Sequence, residues 1–461
     1  MVFSSLHFLF LFFPAVMLLH LLVPERFKNP VLLAASVYFY AWGEPVYVFL
    51  MLFSIAYNYL TGLQLSVRTR PSARKAALVG ALAVNLGVLG FFKYWGFLVQ
   101  TLNATLGLRL PDYALPLPIG ISFYTFQALS YVIDVYRGKA RAQRSFIRFA
   151  TYISMFPQLV AGPIVKYTDI EAQLSRRSTS LAQCGQGMER VILGLSKKVL
   201  LANNLGLLAD AVRASAGRSA LTAWLGAAAY ALQIYFDFSG YSDMAIGMGR
   251  MLGFTFLENF DYPYQSRSVT EFWRRWHVSL SSWFRDYVYI PLGGNRVGPL
   301  RHALNLLIVW MLTGLWHGAS WNFVLWGLYY GLLLIIEKYV TGAALKKLPD
   351  AAARAITLLL VTVGWVIFSN TGALDMLGYL GSLIGLGGGG FADGTFVYLL
   401  RENLLLLVVS ALCCGPGLRK WQLRLTGRVP IAALALMAAL LLACVAFLVH
   451  GSYNPFLYFR F

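Results

Sequence analysis

An all-α fold that crosses a lipid bilayer many times is predicted by three observations. Of 461 residues, 58% are hydrophobic and only 12% charged, and apolar segments recur along the chain with no polar linker between them. A soluble globular chain carries roughly 25% charged residues, so this composition argues against a water-soluble fold. A spanning helix needs about 20 mostly apolar residues, and roughly eleven to thirteen segments approach that length. They lie near residues 5–23, 31–42, 46–66, 76–99, 115–136, 149–165, 190–211, 221–248, 303–317, 321–341, 355–370, 396–413 and 430–449. Several are too short to cross alone and are read as re-entrant. The expectation is one membrane-embedded domain, residues 1–461. The first segment lacks a basic region before it and a small-residue cleavage site after it, so it reads as a retained span and not a removed leader.

The net charge of +19 would suggest nucleic acid in a soluble protein. Here the basic residues fall in short clusters between apolar runs, the pattern of positive-inside orientation. The clusters are Arg68, Arg70, Arg74 and Lys75; Arg137, Lys139, Arg141, Arg144 and Arg148; Lys346 and Lys347; and Arg419, Lys420, Arg424 and Arg428. All are placed on the cytoplasmic side with an external N-terminus; Arg213 and Arg218 are the exceptions. No nucleic-acid partner is expected. Cys184, Cys413, Cys414 and Cys444 show neither metal nor disulfide spacing and read as core thiols.

Proline and glycine interrupt the apolar pattern at residues 116–120 and 156–163. Non-helical backbone at membrane depth persists only where protein or a water-filled cavity satisfies it, so each interruption either lines an internal cavity or is filled by a neighbouring helix. Glycines 385–390 lack the Gly-Lys-Ser/Thr ending of a phosphate cradle and carry no nucleotide role. Residues 262–301 interleave Arg267, Arg274, Arg275, Arg285, Arg296 and Arg301 with Trp273, Trp276, Trp283, Phe284, Tyr287 and Tyr289. Such a stretch reads as interfacial, with rings at headgroup depth, or as a source of cations for a phosphate-bearing ligand.

Two of the six histidines stand out. His317 occurs in Gly314-Leu315-Trp316-His317-Gly318 at the junction of two apolar segments. Its glycines permit close backbone approach and its tryptophans would shield an imidazole from water. An ionisable group inside a membrane bundle is a functional candidate, although a histidine bonded between helices fits the same pattern. His277 sits in Trp273-Arg274-Arg275-Trp276-His277-Val278-Ser279-Leu280-Ser281; if helical, Trp273, His277 and Ser281 share one face. A histidine with near-neutral pKa suits acyl transfer, because it can take a proton from an attacking hydroxyl or give one to a leaving thiolate. There is neither a Gly-x-Ser-x-Gly elbow nor a His-Glu-x-x-His, which disfavours a serine hydrolase or zinc enzyme; no metal site is expected. A third constellation holds Asp237, Tyr241 and Asp243 in an apolar segment, where Ser239-Gly240 is expected to break the helix. Buried acids need partners, and nearby arginines or a histidine are the candidates: a histidine if the acid orients a catalytic imidazole, Arg274 or Arg275 if the pairing is structural.

These motifs resemble the membrane-bound O-acyltransferase family, in its bacterial polysaccharide-acetylating branch, over essentially the whole chain. The resemblance is densest at residues 117–124, 161–163, 235–247, 270–281, 292–296 and 314–318. It implies a ring of roughly 11–13 transmembrane or re-entrant helices around a through-membrane tunnel. His317 takes the place of the catalytic histidine, as general base or as acetyl carrier, and His277 matches the second catalytic position. Asp237, Asp243, Tyr241, Ser281 and Asn322 would support or orient them. Arg274, Arg275, Trp273, Asn295 and Arg296 would bind the donor. The resemblance further implies acetyl-CoA as donor substrate with no bound cofactor, a bacterial inner-membrane location, and a periplasmic partner that passes the acetyl group to an exopolysaccharide such as alginate or cellulose. A multi-span transporter and a non-catalytic assembly subunit are the competing readings. Against the first, no pair of broken helices occupies corresponding positions of two halves.

Overall fold

The computed structural model describes all residues except 114, 161, 216, 452–455 and 458–461. Among the described residues there is no strand, only one isolated antiparallel bridge between Phe260 and Trp276. Seven helices are long and apolar enough to cross a membrane: Tyr47–Val67, Pro71–Leu106, Leu181–Ala214, Trp321–Leu345, Asp350–Ser369, Gly394–Cys413 and Pro430–His450. The protein is therefore an all-α, multi-pass membrane protein. Other expected segments fold into shorter or more polar helices. The first becomes the 15-residue Phe8–Leu22, and the segment at 149–165 divides into Phe146–Ser154 and Phe156–Leu159.

The chain forms two compact units, residues 1–191 with 241–257, and residues 192–240 with 258–461. In the first unit, helices Tyr47–Val67 and Pro71–Leu106 are joined by a reciprocal amide pair, Asn58 with Asn85, at 3.0 and 2.9 Å. Interhelical hydrogen bonds of this kind stand in for the hydrophobic driving force that lipid does not supply. The basic clusters at 68–75 and 137–148 lie at one end of this unit: Arg74 donates to the Tyr136 carbonyl at 2.9 Å, and the Tyr59 hydroxyl donates to the Arg144 carbonyl at 2.7 Å.

Both interruptions are satisfied by protein groups. Ile119 donates its N–H to Glu44 at 3.3 Å and accepts the Tyr40 hydroxyl at 2.9 Å. The Phe156 N–H reaches Ser36 Oγ at 3.1 Å. Gly120 has φ +76°, and a Cβ there would stand 2.8 Å from the Leu159 carbonyl. The two breaks thus pack backbone to backbone and require glycine.

In the second unit, helix Pro299–His317 turns directly into Trp321–Ile336. A Cβ on Gly314 would collide with the Phe323 carbonyl, and one on Gly327 with that of Trp310. Small residues are what allow two membrane helices to approach this closely. The helix Ala220–Met251 runs unbroken through Ser239 and Gly240, contrary to the expected break. Gly240 serves packing instead, since a Cβ there would lie 2.6 Å from the Gly194 carbonyl.

Candidate active site

The second unit gathers most of the predicted residues. His317 is the last residue of its helix and is 7% exposed. Its ring packs against Trp316 at 5.2 Å, Trp326 at 5.2 Å and Phe368 at 5.3 Å. Trp321, the other tryptophan near it in sequence, is exposed. Gly318 is extended, with φ −167°, and a Cβ on it would collide with the Phe323 ring. The expected close approach beside His317 is therefore present. Asn322 donates to the Phe368 carbonyl at 2.8 Å, tying the first turn of its helix to the ring that covers His317.

His317 lines a small cavity with Phe238, Trp276, Trp365, Phe368 and Phe456, and Asp237 contributes to its wall. Its volume is about 20 Å³. A cavity needs at least about 10–15 Å³ to hold one water, so this one accommodates about one water and no larger group.

His277 adopts φ +46°, a left-handed conformation rare outside glycine, between helices Val269–Arg275 and Val278–Phe284. The expected single helical face of Trp273, His277 and Ser281 is thus replaced by a kink. Asn259 holds it. The Val278 N–H donates to the Asn259 carbonyl at 3.0 Å, while Asn259 Oδ1 accepts the Ser279 N–H at 3.2 Å and the Ser279 hydroxyl at 2.9 Å. His277 Nδ1 lies 3.1 Å from the same Oδ1. An amide N–H can only donate, which fixes the Asn259 orientation; Nδ1 must then carry the imidazole proton. His277 Nε2 keeps its lone pair and is buried without a hydrogen-bond partner among the described residues. Burial pushes this imidazole well below its ordinary pKa, so it is neutral at physiological pH. Its ring stands 4.6 Å from Phe238 and 6.0 Å from Trp316, so both histidines contact Trp316.

Among the described residues neither aspartate meets Arg274 or Arg275, which corrects the structural pairing expected; Asp243 takes another arginine and Asp237 a lysine. Asp237 meets Lys198 at 2.5 Å and accepts the Leu457 N–H at 2.8 Å. In the first unit, Asp243 meets Arg190 at 2.8 Å, and Tyr241 stacks on Phe3 at 4.4 Å. Six positions along a continuous helix separate the acids by about 240° of rotation, so they face different neighbours. Arg275 bonds Glu271 at 2.9 Å and Asp261 at 3.4 Å. Arg274, Asn295 and Arg296 are exposed. Trp273 is instead buried against Trp310, Trp326 and Tyr330, at 4.7, 5.4 and 4.8 Å, as part of an aromatic wall. Ser281 donates to the Trp273 carbonyl at 3.2 Å.

Sequence reasoning missed Asn259 and Lys198. The turn-forming cluster Asn259, Asp261 and Pro263 was a signal for the first, and a lysine inside an apolar helical segment for the second. His302 bridges Tyr289 and Tyr339 at 2.8 and 2.7 Å.

The chain is similar to known proteins along its length. The family model for MBOAT, the membrane-bound O-acyltransferase family, matches residues 139–374, which include both histidines. A Pseudomonas putida protein named "Probable alginate O-acetylase AlgI" is 40% identical, the match covering 100% of each chain. A peptidoglycan O-acetyltransferase of Helicobacter pylori is 34% identical over 84% of this chain and 80% of its own. A teichoic acid D-alanyltransferase of Bacillus subtilis is 27% identical over 63% and 75%. With its helical multi-pass fold, its paired buried histidines and these matches, the chain belongs to the membrane-bound O-acyltransferase family and is an enzyme of that class.

Proposed function

We propose that the chain transfers an acetyl group from cytoplasmic acetyl-CoA through the bacterial inner membrane to a periplasmic acceptor, for O-acetylation of an exopolysaccharide. The observation that carries this reading is His317, held in an apolar cavity at the end of the helix Pro299–His317, in a chain matched end to end by a relative named for alginate O-acetylation. Acyl-CoA is too polar to cross lipid, so donor and acceptor must meet at a group reachable from both sides.

In the proposed step the acceptor hydroxyl attacks the thioester carbonyl while His317 takes the hydroxyl proton. The tetrahedral intermediate then collapses, the carbon–sulfur bond breaks, and the imidazolium returns the proton to the leaving thiolate, giving an acetyl ester and free CoA. A dry, apolar surround strengthens the electrostatic interactions of the site and keeps water from competing as nucleophile. His277, which packs against the same Trp316 as His317, holds that ring and so the position of the base. Exposed Arg274 and Arg296 offer cations to the phosphates of CoA. The cavity holds about one water, so donor entry requires the rings around His317 to move apart.

The test uses purified protein in liposomes with radiolabelled acetyl-CoA, followed for CoA release and for label on an added periplasmic partner. Parent protein is expected to release CoA with partner present, and His317→Ala to lose at least about 1,000-fold. A His317→Ala variant as fast as the parent refutes the assignment, and solute uptake without CoA release supports a transporter. Acid-quenched label on the protein without acceptor would make His317 a carrier and not a base.

A further inference from the structure

The helix Gly394–Cys413 is long and apolar enough to span the membrane, yet only 6% of its apolar window is buried within the chain, against 56% for Leu181–Ala214. Its exposed side follows a regular pattern. Exposed positions come in adjacent pairs, 397–398, 401–402, 404–405, 408–409 and 411–412, that repeat at alternating spacings of four and three, so a seam runs between the members of each pair. Arg401 and Glu402 form one such pair. Spacing of this kind, averaging 3.5 residues, defines a seam along which two helices can pack.

The two charges do not suit a lipid-facing surface. Arg401 follows Gly394 by seven positions, about 10 Å along the axis at 1.5 Å per residue. In a helix of roughly 30 Å the dyad lies about a third of the way in. Ionisable side chains at such depth face protein or water and pair with one another. Neither Arg401 nor Glu402 takes part in an ion pair among the described residues.

We propose that this stripe is the interface between two copies of the chain, related by a two-fold axis along the membrane normal. Both copies have the same orientation in the bilayer, so their Gly394–Cys413 helices run parallel and equal residues lie at equal depth. Consecutive positions are about 100° apart on a helix, so Arg401 and Glu402 flank the seam on opposite sides. The two-fold operation then sets Arg401 of each copy against Glu402 of the partner subunit, twice. An unrelated partner would need charges in the matching order at the same depth, whereas this helix already carries both halves of the match.

The experiment co-expresses full-length copies with two different tags, extracts them with their lipid into nanodiscs, and measures how much of one tag is recovered with the other. Parent copies are expected to co-purify. Arg401→Glu alone and Glu402→Arg alone place like charges across the seam, and recovery is expected to fall at least tenfold for each. Co-expressing Arg401→Glu under one tag with Glu402→Arg under the other restores opposite charges at both contacts, and recovery is expected to return. The restoring pair also shows that each variant folds. The proposal fails if parent copies do not co-purify, if the single reversals leave recovery unchanged, or if the complementary pair does not restore it. Recovery of a different membrane protein in place of the second tag, lost on the same reversals, also overturns it.

Discussion

Gly318→Ala isolates the packing that holds His317. Gly318 is extended at φ −167° and ψ 161°, a conformation any residue adopts, so alanine adds no backbone strain. The effect is steric. The new methyl would stand 2.9 Å from Phe323 Cζ and closer still to two other ring carbons. Carbon atoms pack at about 3.5–4.0 Å, so the ring must give by roughly 1 Å or more. Phe323 cannot move alone, because it packs edge-on against Phe368 at 4.9 Å, and Phe368 against His317 at 5.3 Å. Overpacking of this kind costs about 1–3 kcal/mol of stability, and a reacting group displaced by about 1 Å can lose about 100-fold in rate. The expected result is a folded protein whose CoA release falls about 100-fold. Phe323→Leu in the same chain vacates the space and should recover at least tenfold of that loss. The assay is partner-dependent CoA release in liposomes, with monodispersity in detergent as the folding control. Full activity in Gly318→Ala, or no recovery in the double variant, would refute the account of how His317 is held.

Other perturbations follow from the same geometry. Asp237→Asn removes the carboxylate charge that meets buried Lys198 and is expected to cost about 3–5 kcal/mol, read as faster thermal inactivation. Lys198→Met with Asp237→Leu removes both charges and should recover most of this, but not all, since the Leu457 N–H still loses its acceptor. Asn259→Ala removes the acceptor shared by Ser279 and His277. Losing a hydrogen-bond partner that orients a functional imidazole typically costs about 10–100-fold, as at metal-ligating histidines, and CoA release should fall by that much; unchanged turnover would show that the His277 tautomer does not matter. His277 also makes stability depend on pH. Burial lowers its folded pKa while the unfolded imidazole titrates near about 6.5. Below that pH the unfolded chain binds a proton that the folded chain refuses, so stability falls with decreasing pH and is flat above it. Melting temperatures between about pH 7.5 and 5 should show this fall, reduced in His277→Asn; an identical fall in both would assign it elsewhere.

Several features were legible residue by residue. His317 stood out as an imidazole between glycines at the junction of two apolar segments, a pattern that a histidine bonded between helices also fits, and the structure buries it among aromatic rings. Asp237 was recognisable as a buried acid, but not its partner: Lys198 lies 39 positions away, and only helix packing decides which cation an acid meets. Ser239-Gly240 was misread because glycine signals a chain break and a close approach with the same letter. Here an adjacent backbone, at Gly194, required the missing side chain. The face shared by Trp273, His277 and Ser281 failed because helical spacing says nothing about a positive φ imposed from outside, by Asn259 and the bridge at Phe260 and Trp276.

Local composition alone determined that the chain lives in lipid, that it is helical, and which histidines are candidates for chemistry, because those properties follow from transfer free energy and from residue types that are costly at membrane depth. Which nitrogen of His277 holds its proton, which cation neutralises Asp237 and how little room surrounds His317 were decided by tertiary structure. Each depends on contacts between residues distant in sequence, and a linear pattern carries no information about which of many compatible neighbours arrives.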